Sequence, residues 1–161
     1  MMPRTRTAWV VACAAVLLGA SAGHLEAQGR GYGGEATLGL RGGYDFHADA
    51  LVLGIQTRSY GPLVSLSPSF DVYFLNGRRA WQINLDVMLS YDPLGVFGGG
   101  GISVGNRDPL DTVTRTDWSL FAGLHFPMRL RVRPFAEARW SFLGFGHPFQ
   151  LMGGLELAVG P

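Results

Sequence analysis

The chain contains no lysine: all 13 of its basic residues are arginine. It has one cysteine, Cys13, so an internal disulfide framework is excluded. No cysteine cluster and no HExxH spacing offers a metal site, and no cofactor is expected. A large excess of charge of either sign is missing too, since 12 acids against the 13 arginines leave a formal net charge of +1. Without a strong positive field, nucleic acid is not an expected partner. Beyond the N-terminal segment no window holds 18 consecutive apolar residues, so no membrane-spanning helix is expected there. What is abundant is apolar surface and glycine. Hydrophobic residues make up 47% of the 161, too many for a disordered chain. Glycine occurs 24 times, with no collagen period, at roughly twice its usual share of about 7%. The length suits one domain.

The first segment reads as a targeting signal. Arg4 and Arg6 precede an apolar run of 11 residues, Ala8 to Leu18, and small residues follow. A basic start, a short apolar middle and an Ala-x-Ala site describe a secretory signal peptide over residues 1–27. Cleavage after Ala22 or after Ala27 fits. A short lead, 28–34, then precedes a domain over 35–159.

Within that domain, alternation with a period of two is the dominant pattern, as expected of strands with unlike faces. In Leu63 to Leu75, Val64, Leu66, Pro68, Phe70, Val72 and Phe74 oppose Ser65, Ser67, Ser69, Asp71 and Tyr73. In Ala80 to Tyr91, Trp81, Ile83, Leu85, Val87, Leu89 and Tyr91 oppose Gln82, Asn84, Asp86, Met88 and Ser90. Six further segments follow the same rule less cleanly: Glu35–Phe46, Ala50–Arg58, Leu94–Val104, Thr116–Phe126, Arg129–Phe142 and Pro148–Val159. Tight connections are expected at Ser59 to Pro62, Asp92-Pro93 and Pro127-Met128. Looser ones are expected around His47 to Asp49, Asn76 to Arg79, Gly105 to Arg115 and Leu143 to His147. Eight strands with turns at one end and loops at the other predict an all-β, antiparallel up-and-down barrel.

Three features turn the apolar face toward lipid. The polar face carries mid-strand charges, which suit a narrow interior filled by hydrogen-bonded side chains. The apolar face is nearly uncharged, as hydrocarbon requires. Its aromatic residues gather at strand ends, where amphipathic rings form membrane girdles. The expected girdle is Tyr44, Phe74, Trp81, Trp118, Trp140 and Phe149 at the loop end, with Tyr91 and Phe126 at the turn end. A soluble periplasmic barrel binding an apolar ligand is the alternative. It would hide the same face inside.

With these segments in place, residues 35 to 159 resemble the small eight-stranded bacterial outer-membrane barrels of the OmpA/OmpX type. The resemblance implies a transmembrane β-barrel in the outer membrane of a Gram-negative bacterium, with the tight turns in the periplasm. It implies outer-membrane lipid and the barrel-assembly machinery as partners, and a monomer. Such barrels usually end on an aromatic residue, whereas here Val159 is followed by Gly160-Pro161.

The expected lumen charge network comprises Arg41, Arg58, Asp71, Asp86, Asp117, Arg131, Arg133, Glu137, Arg139 and Glu156. A hairpin through Pro127-Met128 would set Asp117 opposite Arg139, Ser119 opposite Glu137 and His125 opposite Arg131. Such a network plugs the barrel; the alternative is an ion path through a small pore. Arg129, Arg131 and Arg133 with Arg58 are expected to pair with Glu35 or Glu156, the alternative being a basic periplasmic mouth. Arg78-Arg79 is expected to form a solvated turn in an outer loop, the alternative being contact with lipid phosphates. His147 near Ser141 invites comparison with outer-membrane lipid-A deacylases, but no motif surrounds the pair, so no enzyme activity is expected. Gly98 to Gly101 lacks the GK[ST] of a phosphate loop. Asp108 and Asp111 provide too few ligands for calcium. The expected role is structural or surface-interacting.

Overall fold

The computed structural model describes residues 36–59, 64–91, 94–106, 113–126, 131–142 and 148–159. The expected signal segment 1–27 and the expected lead 28–34 lie outside the described residues. So do Arg129, His147, Asp108 and Asp111.

Eight strands run in order: β1 (Ala36–Asp45), β2 (Ala50–Ser59), β3 (Ser65–Leu75), β4 (Arg78–Tyr91), β5 (Val96–Gly105), β6 (Arg115–His125), β7 (Val132–Phe142) and β8 (Phe149–Val159). Each pairs antiparallel with its sequence neighbour, and β8 returns to β1, with Leu40 opposite Leu155, so the sheet closes. Closure removes the edge strands that would otherwise expose unpaired backbone groups.

The alternation decides which way each strand faces. Serines 65, 67 and 69 with Asp71 and Tyr73 are buried inside, and Leu66, Val72 and Phe74 lie outside. Leu85 is 45% exposed and Asp86 only 1%. The apolar face therefore points outward and the polar face lines the lumen. This is the reverse of what a soluble carrier of an apolar ligand needs. Two small apolar clusters also occupy the lumen: Val52, Tyr73, Leu75 and Met152 with Ala50 and Ala80, and Met88 with Phe97, Phe121 and Phe135.

Two connections depart from expectation. The region Asn76 to Arg79 is not a loose loop. Only Asn76 and Gly77 separate β3 from β4, because Gly77 takes a φ of 83° that permits a two-residue reversal. The opposite holds after β6. That strand ends at His125 and β7 begins at Val132, so the connection is longer than Pro127-Met128.

Candidate functional site

The longer connection resets the register of β6 and β7. Arg139 faces Phe121, not Asp117; Ser119 faces Ser141, not Glu137; His125 faces Phe135, not Arg131. The pairing expected from a tight turn is thus displaced by four residues, from position 117 to 121 opposite Arg139. Faces are unchanged, because a shift of even length preserves them.

Arg139 reaches inward across the barrel from β7. Its Nη1 donates to Asp86 Oδ1 at 3.0 Å and its Nη2 to Oδ2 at 2.6 Å, a bidentate pair. Nε donates to Glu137 Oε1 at 3.0 Å, and Nη1 also donates to Ser119 Oγ at 3.1 Å. The guanidinium lies 4.8 Å over the Phe121 ring. All three charged groups are buried.

A second set is centred on Arg41, whose Nε donates to Asp71 Oδ1 at 2.7 Å while Nη2 donates to Oδ2. Asn84 donates to Asp71 Oδ2 at 2.8 Å and to Ser69 Oγ at 3.0 Å. From Asp71 the bonds run both ways along the lumen. Toward the loop end, Gln82 donates to Asn84, Tyr73 donates to Gln82, and Gln150 donates to Tyr73 and to Asp45. Asp45 Oδ1 in turn accepts the N–H groups of His47 and Ala48, each at 2.9 Å, tying the β1–β2 turn to the lumen. Toward the turn end, Arg41 donates to Gln56, which donates to Glu156 Oε1 at 2.6 Å. Glu156 also pairs with Arg58 at 2.8 Å. Arg58 lies against the rings of Phe97 and Phe135, at 4.8 and 5.5 Å, and its Nη1 is 2.7 Å from His125 Nε2. One connected series of hydrogen bonds, with the Arg58–Glu156 ion pair as one link, thus runs from Asp45 to His125.

Arg41, Arg58, Asp71, Asp86, Glu137, Arg139 and Glu156 are therefore buried in the lumen. Asp117 and Arg133 are half-buried near opposite ends, opposite Ser103 and Glu156. Arg131 is exposed, one residue before β7, outside the buried set. Sequence reasoning missed the neutral linkers Gln56, Gln82, Asn84 and Gln150. Their signal was available: each shares its strand's inward parity with a charged or aromatic lumen residue.

The ring residues gather at the two ends of the outer surface. At the loop end Trp140 and Phe149 are 5.0 Å apart, Phe149 and Phe46 5.6 Å, and Phe46 and Tyr44 5.2 Å, while Trp118 stacks on Phe142 at 3.9 Å. Phe74 and Trp81 share that end; Tyr91 and Phe126 are exposed at the other.

No protein-family profile matches the sequence, and no curated protein matches it. Solved structures do. The N-terminal β-barrel domain of OprF from Pseudomonas aeruginosa superposes with a TM-score of 0.67 at 15% identity, over 78% of this chain and 98% of that one. The outer membrane protein Ail of Yersinia pestis gives 0.55 at 13% identity, over 78% and 99%. The de novo designed barrel TMB2.3 gives 0.58 at 14% identity, over 80% and 96%. The eight-stranded closed antiparallel barrel is a fold this chain shares with these outer-membrane and designed barrels. At these identities the likeness is one of fold, and the lumen is described from its own residues.

In this barrel Ser141 is fully buried, faces the lumen, and its hydroxyl has no partner among the described residues. A serine hydrolase needs an accessible nucleophile with a base in reach, and Ser141 has neither among those residues. No group of three or more His, Cys, Asp or Glu placed to hold a metal occurs among the described residues.

Proposed function

We propose that the protein is an integral outer-membrane barrel with a side-chain-filled lumen and a non-catalytic role, structural or surface-interacting. The observation that carries this reading is sidedness: buried ion pairs inside, a continuous apolar surface outside. In hydrocarbon every unpaired backbone group costs several kcal/mol, so a sheet can cross only when closed. Ion pairs in the lumen avoid the cost of charge on the lipid face, about 2–4 kcal/mol for an arginine at the midplane. The aromatic bands match the two interfaces in kind and position. Its partners in this reading are outer-membrane lipid and the barrel-assembly machinery. The closed sheet leaves no edge to recruit a second copy, which favours a monomer. The short turn ends and both chain ends of the barrel face the periplasm. Nucleic acid has no place in this role.

Fractionation and gel mobility test the reading together. Expressed in a Gram-negative host, the protein is recovered with outer membranes and migrates differently before and after boiling, as closed barrels do. Recovery in the soluble periplasmic fraction contradicts it.

A further inference from the structure

Arg79 is the one charged residue at an outward-facing position of the eight strands. Every other Asp, Glu or Arg within their bounds has inward parity, from Arg41 and Asp45 on β1 to Glu156 on β8. Arg79 is exposed and lies directly across the sheet from Phe74, with its guanidinium carbon 5.7 Å from that ring's centroid. It forms no ion pair among the described residues.

Its height along the barrel is informative. The outward residues of β4 run Arg79, Trp81, Ile83, Leu85, Val87, Leu89 and Tyr91. Trp81 and Tyr91 bracket an apolar stretch of ten residue steps. At about 3.4 Å per residue and a tilt of about 40°, that stretch spans roughly 26 Å along the membrane normal. This matches the apolar band of about 25 Å in such barrels. The next outward position, Arg79, stands about 5 Å beyond the girdle by the same arithmetic. That is the headgroup layer. Because only Asn76 and Gly77 separate β3 from β4, the Arg79 backbone is still paired in the sheet at this height, opposite Phe74.

We infer that Arg79, seated on Phe74 above Trp81, is a binding site for the phosphate of an anionic lipid headgroup at the loop end of the barrel. The inference rests on the membrane reading above and adds the ligand class. A guanidinium offers two parallel N–H donors to a phosphate, a geometry an ammonium lacks. The Phe74 ring below holds the cation by its face and stays in the apolar interface. A lipid satisfies both halves at once, its acyl chains against the leucines of β4 and its phosphate on the fork. Free phosphate satisfies only one.

The test uses the purified protein in phosphatidylcholine nanodiscs carrying a minor fraction of phosphatidic acid, with retained lipid counted by native mass spectrometry. Arg79→Gln is expected to reduce retained phosphatidic acid about five-fold. Arg79→Lys falls between, Phe74→Leu also reduces it, and retained phosphatidylcholine is unchanged in all. Added inorganic phosphate leaves the lipid bound; full displacement by it overturns the assignment to lipid. A wild-type chain that does not insert contradicts the membrane reading. An inserted wild type whose retained phosphatidic acid equals that of the Arg79→Gln and Phe74→Leu variants overturns the site alone.

Discussion

Gly101 on β5 lies directly opposite Asp86 on β4, and a Cβ at Gly101 would overlap the Asp86 carboxylate. The same relation recurs at the other charge centre, where a Cβ at Gly54 would overlap the carboxylate of its partner Asp71. In both cases the acid that holds a lumen arginine lies flat against a neighbouring strand, and only glycine leaves that space. Arg41, flanked by Gly54 and Gly154, reaches Asp71 across the bare backbone of β2. Part of the glycine excess is thus tied to the ion pairs.

Alanine at Gly54 or Gly101 therefore forces the carboxylate out of its place. Each substitution is expected to lower stability by about 1–3 kcal/mol, the usual cost of overpacking. The control is Gly153→Ala, where a Cβ meets nothing closer than Phe135 O at 3.4 Å. Urea unfolding followed by gel mobility in detergent measures all three. Equal stability of Gly101→Ala and Gly153→Ala contradicts the account.

Arg139→Ala removes the guanidinium that, among the described residues, bonds both Asp86 and Glu137. Stranding buried carboxylates costs about 3–5 kcal/mol. Replacing a whole pair, Arg41→Met with Asp71→Leu, is expected to cost less than either single change, because no charge is left alone. Planar-bilayer conductance run alongside separates plug from path. Unchanged stability with a large rise in conductance for Arg139→Ala rejects the plug.

Depth should grade the cost of charge on the outer face. Leu85→Arg sits midway between Trp81 and Tyr91 and is expected to cost about 2–4 kcal/mol of stability in lipid vesicles, against about 0–1 kcal/mol for Tyr91→Arg at the boundary. Similar small effects at both positions are what a water-facing surface would give.

The leader is read directly from mass. Protein extracted from outer membranes is expected to begin at Gly23 or Gln28, after cleavage at Ala22 or Ala27. An intact mass for the whole chain from Met1 contradicts a cleaved signal.

Much of the barrel was legible because a strand's period of two is strict. Parity alone places Asp71, Asp86, Glu137 and Arg139 inside and Leu85 and Trp118 outside. What parity does not carry is offset along the strand. The slide of β7 against β6 left every face intact while replacing Asp117 with Phe121 opposite Arg139. The partners of Arg139 come from β4 and from its own strand, across a lumen whose width and stagger no single hairpin specifies. The neutral linkers were hidden for a related reason: Gln56 and Gln150 matter through what they bridge, and bridging depends on closure of β8 onto β1.

The central claim is that hydrocarbon lies outside the barrel and charge inside. Cys13 is the chain's single cysteine, so a nitroxide attached through Leu85→Cys in a Cys13→Ser background reports one site. In lipid vesicles, electron paramagnetic resonance with dissolved oxygen and a water-soluble nickel chelate as relaxing agents measures what that site touches. The account predicts strong relaxation by oxygen and protection from the chelate at position 85; the reverse, access to the chelate and little effect of oxygen, would contradict it.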